Sequence, residues 1–389
     1  MRHRIPERRV TFLTTVLVSI ATLLGCGGGR QTSAPSGSST VTAVGYVANI
    51  RSNSVTAFLL DEINGQMQVT ATAPTGPSPG YPAVTPDRRF LFVGNTDGNT
   101  ITRLALDGNG GMKSAGPDIK LVDPSARPVG TMVSPSGRFL FVATVPNAVE
   151  AFSIGSQNGE LTPVPGSPFA VDADANTLAI THSGKFLFVT GTLYSDAIYV
   201  FAIDQGNGTL ARIATFHTGF LNCAMAVDPT DTYLVVNAYI ESKLLLFKID
   251  PTGQLQEAPG SRVPSSYLST SIAISPDGRY LYMDDALGRG INSHFDNGIL
   301  GWKFDALSGS ILPMPDSPFL DNQVPSSVAV SPKGTILVVS RVNDLDVGHV
   351  ASYRIDSTSG ALRPLSGTGF DSGILTGGGP NHVVLVPRS

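Results

Sequence analysis

The sequence predicts an all-β protein: a ring of seven repeated units, each a sheet of four antiparallel strands. Three observations carry this. Gly (42) and Pro (28) are abundant in a chain of 389 residues of which only 14% are charged. That composition suits short strands joined by tight turns, not a helical bundle or a disordered chain. One hairpin segment returns at near-constant intervals, and the two chain ends supply complementary fractions of one unit.

The returning segment reads Pro82–Val93, Val133–Val142, Ile180–Val189, Val227–Val236, Ile274–Met283 and Val330–Val339. Its Pro (or His182) falls at 86, 135, 182, 229, 276 and 332, at intervals of 49, 47, 47, 47 and 56 residues, and 55 more lead to Pro387. Ser-Pro-Asp-Gly and its relatives suit a type I turn, with Pro fixing φ and Gly free to take positive φ. Arg88 and Asp231 stand where Gly is expected. Alternating Val-x-Val before the turn and Phe-Leu-Phe-Val after it read as half-buried and fully buried strands.

A third strand follows in each unit, as in Ser54–Asp61, Ala148–Phe152, Ala197–Phe201, Lys243–Phe247, Ile299–Phe304 and Val350–Tyr353. Turns such as Asn64-Gly65, Asn207-Gly208 and Ser359-Gly360 end it, and a fourth strand begins at Met67, Met112, Leu161, Leu210, Leu255, Leu312 or Leu362. Four antiparallel strands per repeat of this length make a β-propeller blade. The C-terminus supplies only a first strand (381–386) and the N-terminus only strands two to four (44–72), so together they complete a seventh blade. Such joining removes the strand edges that an open array exposes. The ring occupies residues 41–389 as one domain and needs no second copy, so a monomer is expected.

The first 25 residues read as a signal peptide. Met1–Arg9 holds four Arg, and Val10–Leu24 carries no charge and is short for a membrane span. Leu23-Leu24-Gly25-Cys26 resembles a bacterial lipobox, which implies cleavage before Cys26 and a lipid on its sulfur. Gly27 after the Cys favours the outer membrane by the same resemblance. Residues 26–40 are a Gly/Ser/Thr-rich tether. The reading is an exported lipoprotein facing the periplasm or cell surface. Loss of Arg2, Arg4, Arg8, Arg9 and Glu7 takes the net charge from −4 to −7, which disfavours nucleic acid as a partner. The other cysteine, Cys223, has no disulfide partner if Cys26 is acylated.

The repeat resembles the lactonase-like propeller family, which includes bacterial 6-phosphogluconolactonase and fungal carboxy-muconate cyclase, and the wider Tyr-Val-Thr-Asn propellers. Tyr46-Val47-Ala48-Asn49, Val235-Val236-Asn237, the Ser275–Tyr282 hairpin and the Asp-x-x-x-Gly-x-Leu turn carry the likeness. The resemblance implies a site at the channel mouth, ringed by the entry loops and the loops between second and third strands. It also implies a Pro-Arg-His at an entry loop and an Asn-Glu after the matching second strand. There Arg neutralises a substrate anion and His or Glu moves a proton. Here Leu221-Asn222-Cys223 and Asn237-Ala238 occupy those places, with Glu241 three residues on.

The mouth is expected to collect Tyr81, Ser326 and four catalytic candidates: His382, Glu241, Arg127 and Arg341. The ligand-binding candidates are Asn49, Asn222, Asn237, Asp284, Asp285 and His294. Asp284, Asp285, His294 and Asp296 are read as one long loop (284–298), an ordinary polar loop more than a cation site. No metal or cofactor is expected, and Trp302 falls in a third strand away from the channel. His182 lies in a turn on the opposite face, in a structural or solvated role. The function read from this is a lipid-anchored module binding an unidentified small molecule or envelope protein; the alternative is a hydrolase of sugar lactones or related cyclic esters.

Overall fold

The structure is a computed structural model and describes residues 41–388 apart from 192–194, 220–221, 239–240, 267–268, 286–297, 322, 343–346 and 376–381. The described residues form seven antiparallel sheets. From the channel outward, blade 1 comprises Pro79–Val84, Phe90–Asn95, Thr100–Leu106 and Met112–Ser114, and blade 2 comprises Arg127–Val133, Phe139–Val145, Ala148–Ile154 and Leu161–Pro163. Blade 3 has Ala175–Ile180, Phe186–Gly191, Ala197–Ile203 and Leu210–His217; blade 4 has Asn222–Val227, Tyr233–Ala238, Lys243–Ile249 and Leu255–Glu257. Blade 5 has Ile272–Ile274, Tyr280–Asp285, Gly298–Asp305 and Ser310–Pro313; blade 6 has Val324–Val330, Ile336–Val342, Val347–Ile355 and Leu362–Pro364. Blade 7 is composite: Val383–Pro387 is innermost, followed by Val41–Asn49, Ser54–Asp61 and Met67–Pro74. Each innermost strand touches the next, and that of blade 7 returns to blade 1, which closes the ring.

The outer strands depart from the simple four-strand count. In blades 1, 2, 4, 5 and 6 a further short segment also pairs with the third strand. Proline explains the break: Leu161–Pro163 runs into Val164-Pro165-Gly166, and Ser310–Pro313 into Met314-Pro315. A proline has no N–H for the ladder. Met67–Ala73 and Leu210–His217 hold neither Pro nor Gly and run unbroken.

The hairpin turns close as their residues dictate. In blade 2 the Ser134 N–H donates to the Phe139 carbonyl (2.8 Å), the Gly137 N–H to the Ser134 carbonyl (2.8 Å), and the Phe139 N–H to Ser134 Oγ (3.1 Å). Gly137 stands at φ 71°, and Arg88 and Asp231 take the same left-handed conformation at 60° and 59°. Both are used. Asp231 accepts the His182 and Ser183 N–H groups of blade 3, so His182 is tied to its neighbour on the face away from the mouth. Arg88 donates to the carbonyl of Arg388 (3.1 Å), pinning the C-terminal strand.

Between blades lie apolar layers, such as Phe141, Val149, Leu187 and Tyr199 between blades 2 and 3. At their rim a second device recurs. A glycine of positive φ in the turn before the fourth strand lies against the aromatic ring that opens the second strand of the preceding blade: Gly159 on Phe90, Gly208 on Phe139, Gly253 on Phe186, Gly309 on Tyr233 and Gly360 on Tyr280. An arginine beside that ring then donates to the carbonyls of the same turn. Arg89 reaches Ser156 (2.6 Å) and Gln157 (3.0 Å), Arg138 reaches Gln205 (3.0 Å) and Gly206 (2.7 Å), and Arg279 reaches Ser357 (3.0 Å).

At the seam, Ala43, Val44, Gly45, Tyr46 and Val47 pair with Pro387, Val386, Leu385, Val384 and Val383. Glu62, buried in blade 7, accepts the Lys333 N–H of blade 6 (2.8 Å) and the Thr42 hydroxyl. Arg388 of the last strand donates to Asn109 of blade 1 (3.0 Å).

Candidate functional site

One register position per blade builds the site. Tyr81, Gly130, Thr177, Ala224, Ser271, Ser327 and His382 each immediately precede the residue that pairs with the fourth residue of the hairpin's second strand, or with Val47 in blade 7. In blades 1, 2, 3, 4 and 6 the register shifts within the residues just before or at this position. Such bulges re-aim a side chain. All seven residues line one cavity of about 320 Å³ in the central channel, with Thr131 and Thr270 adding hydroxyls.

The ring is uneven. Tyr81 and His382, from adjoining blades 1 and 7, fill one side. Gly130, Thr177 and Ala224 stand at the same position with small side chains or none, and a Cβ on Gly130 would lie 2.6 Å from the Asn176 carbonyl, so blade 2 has no room for a side chain there. The Tyr81 and His382 rings stack with centroids 3.2 Å apart and planes 21° apart. The Tyr81 hydroxyl crosses to the Thr270 carbonyl of blade 5 (3.4 Å). A chain of hydroxyls continues the wall: Ser271 Oγ lies 3.3 Å from Ser327 Oγ and accepts the Val328 N–H (3.1 Å), and Ser327 Oγ accepts the Val383 N–H (3.3 Å).

His382 is 4% exposed, and its carbonyl accepts the Ala48 N–H (3.1 Å). Neither ring nitrogen bonds to a described residue. Burial alone pushes its pKa down to about 3, so the imidazole is neutral at physiological pH. The folded chain refuses a proton that the unfolded chain accepts below 6.5, so this group withdraws stability as pH falls from 6.5 toward 3. So weak a base is poorly matched to proton abstraction near neutrality.

The other candidates do not join it. Arg127 is exposed and ion-paired with Asp97. Arg341 pairs with the buried Asp321, which also accepts the Tyr353 hydroxyl, and faces a separate groove of blade 6 with His349. Glu241 is half-buried outside the cavity wall, its Oε2 without a hydrogen bond. Four ligand candidates lie away from the cavity wall. Asn49, Asn237, Asp284 and Asp285 end second strands and are fully buried, where strand alternation turns them into the sheet layers and away from solvent. Asn49 holds Ser54 (3.2 Å) and Thr56 (3.0 Å), Asn237 accepts the Ser265 hydroxyl (2.9 Å), and Asp285 accepts that of Ser266 (2.7 Å). Asp284 and Asp285 therefore belong to a strand and not to the loop expected of them. The Asn222 side chain, His294, Asp296 and Cys26, with the signal and tether segments, lie outside the described residues.

Asp284 stands directly behind the cavity wall. Its Oδ1 accepts the Ser269 hydroxyl (2.8 Å) and the N–H groups of Thr270 (3.2 Å) and Ser271 (2.9 Å). Burial outweighs these bonds and raises its pKa from 3.8 to about 7. Between those values the folded chain keeps a proton that the unfolded chain has lost. Stability from this group is therefore present at low pH and falls as pH rises through the interval, by about 1.4 kcal/mol per unit. Asp284→Asn retains an acceptor and removes the titration. The stability difference between variant and wild type, read by urea unfolding, is expected to grow in the variant's favour from pH 4 to pH 7 and level off above. A difference independent of pH would contradict the assignment.

Comparison with known proteins follows the same outline. The model of the family described as lactonase, 7-bladed beta-propeller, matches residues 131–269. A 6-phosphogluconolactonase of Erwinia tasmaniensis is 25% identical over 312 residues, 78% of this chain and 86% of its own. A candidate 6-phosphogluconolactonase of Bacteroides uniformis superposes with a TM-score of 0.74 at 17% identity, covering 89% of this chain and 99% of that one. The periplasmic gluconolactonase of Pseudomonas aeruginosa gives 0.70 at 18%, covering 90% and 100%. With seven blades sealed by the two chain ends, the chain is a seven-bladed β-propeller, and over residues 131–269 it is similar to the lactonase family of such propellers.

Proposed function

We propose that the chain is an exported propeller, tethered to a membrane through a lipid on Cys26, whose channel mouth binds a small, uncharged, polyhydroxylated ligand of the sugar-lactone class. The observation that carries this is the cavity wall: hydroxyls, peptide groups and apolar side chains from all seven blades, with no Lys, Arg, Asp or Glu among its described lining residues. A volume of about 320 Å³ matches the lower range of small-molecule sites. Hydroxyl donors and acceptors suit a sugar, whereas a phosphate calls for guanidinium groups, and Arg127 and Arg341 are engaged by Asp97 and Asp321. The names of the relatives, 6-phosphogluconolactonase and periplasmic gluconolactonase, support the lactone class and favour hydrolysis as a second reading.

Titration calorimetry with glucono-1,5-lactone and its 6-phosphate, alongside pH-stat hydrolysis corrected for the spontaneous rate, tests both readings. The neutral lactone is expected to bind at least about tenfold more tightly than the phosphate, a margin of about 1.4 kcal/mol, with no hydrolysis above background. Preference for the phosphate would refute the uncharged site. Turnover lost in His382→Gln would replace the binding module by the hydrolase.

A further inference from the structure

We propose that Tyr81 is a positioning residue for His382: it crosses the channel from blade 1 to blade 5 and holds the imidazole flat against its ring, so that the ring nitrogens, which bond to no described residue, serve as a donor and an acceptor for a ligand in the cavity. This rests on the reading of the cavity as a ligand site and names the pair that reads the ligand.

The geometry supports each step. Tyr81 is fixed at both ends, its carbonyl accepting the Thr131 hydroxyl of blade 2 and its own hydroxyl donating to the Thr270 carbonyl. His382 is more than nine-tenths buried and lines the cavity, and no hydrogen bond to a described residue occupies its ring nitrogens. A neutral imidazole carries one N–H donor and one acceptor nitrogen. Both belong to a residue of the cavity wall, and a ligand presenting a hydroxyl beside a ring or carbonyl oxygen matches both. The same cavity wall includes Gly130 and Ala224, which carry little or no side chain. Tyr81 thus spans the channel beside His382 and shares one cavity wall with it.

The test uses the full chain in detergent, labelled at histidine with nitrogen-15, as wild type, Tyr81→Ala and Tyr81→Phe, with His382→Gln to assign the resonance. Two quantities are read: the titration midpoint of His382 and the affinity for glucono-1,5-lactone. In wild type His382 is expected to remain neutral at pH 5. Removing the ring lets water reach the imidazole, so Tyr81→Ala should raise the midpoint by at least about two pH units and weaken binding at least tenfold. Tyr81→Phe, which keeps the ring, should recover most of both. A midpoint and an affinity in Tyr81→Ala within twofold of wild type would overturn the proposal. So would failure of the Phe variant to recover either. If the midpoint moves as stated while wild type binds no lactone, the ligand class is wrong and the positioning of His382 stands.

Discussion

Deletion of residues 383–389 is expected to abolish the monomeric fold. The loss removes the innermost strand of blade 7 and with it the partner of residues 43–47. Val383, Val384, Leu385 and Val386 pack with Val47, Phe58, Val44 and Tyr46 in two inter-blade layers. Each large apolar side chain contributes about 1.5–3 kcal/mol when fully buried, so even half-burial of four sums to roughly 5 kcal/mol, comparable with a whole domain's net stability. The inner edge of Val41–Asn49 would also be left bare, and such an edge recruits other chains. Size-exclusion chromatography and thermal melting should show oligomers or aggregate without a cooperative transition. A monomer melting within a few degrees of wild type would mean that the ring is held shut by something other than its ends.

The second large effect concerns the glycine on the ring. Gly159→Ala is expected to destabilise the chain by about 2–4 kcal/mol. Gly159 stands at φ 68°, and a Cβ would come within 2.6 Å of Phe90 Cδ1. Phe90 is held in turn by its own strand and by the Arg89 guanidinium, 5.4 Å from the ring centroid, which bonds the carbonyls of Ser156 and Gln157. Neither partner can withdraw without breaking the bonds between blades. Gly219→Ala is the control: it has φ +76° and no described residue within 4 Å of the added carbon, so it carries only the conformational cost of about 1 kcal/mol. Equal losses in the two variants by urea unfolding would show that the contact between blades contributes nothing.

These two effects differ in how far the sequence announces them. The seam is legible because the end segments are fractions of a repeat whose whole form appears elsewhere; counting strands is enough. The glycines are legible as turn formers, but their contact with Phe90 or Tyr280 is not, because the partners lie in different blades. The same limit hides the site. Tyr81 and His382 are legible as entry-loop residues, whereas Thr177, Ser271 and Ser327 share their register position with no charge to mark it; only a stack of the repeats in alignment gathers all five. Asn49, Asn237, Asp284 and Asp285 read as residues of loops between second and third strands, and the pleat makes them buried strand ends. For Asp284 the compensating signal was present in Ser269, Thr270 and Ser271, the donors a buried carboxyl needs.

The composite blade also sets a timetable. Val47 and Val383 are partners, so roughly 340 residues must be made after the first of them before the second exists, which at about 5–20 residues per second is some 17 to 70 seconds. Through that interval the earliest strands emerge with no native neighbour on their inner side. The ring therefore forms as a post-synthetic event, and a factor that shields residues 41–49 during that wait would raise the yield of folded protein without altering its final stability.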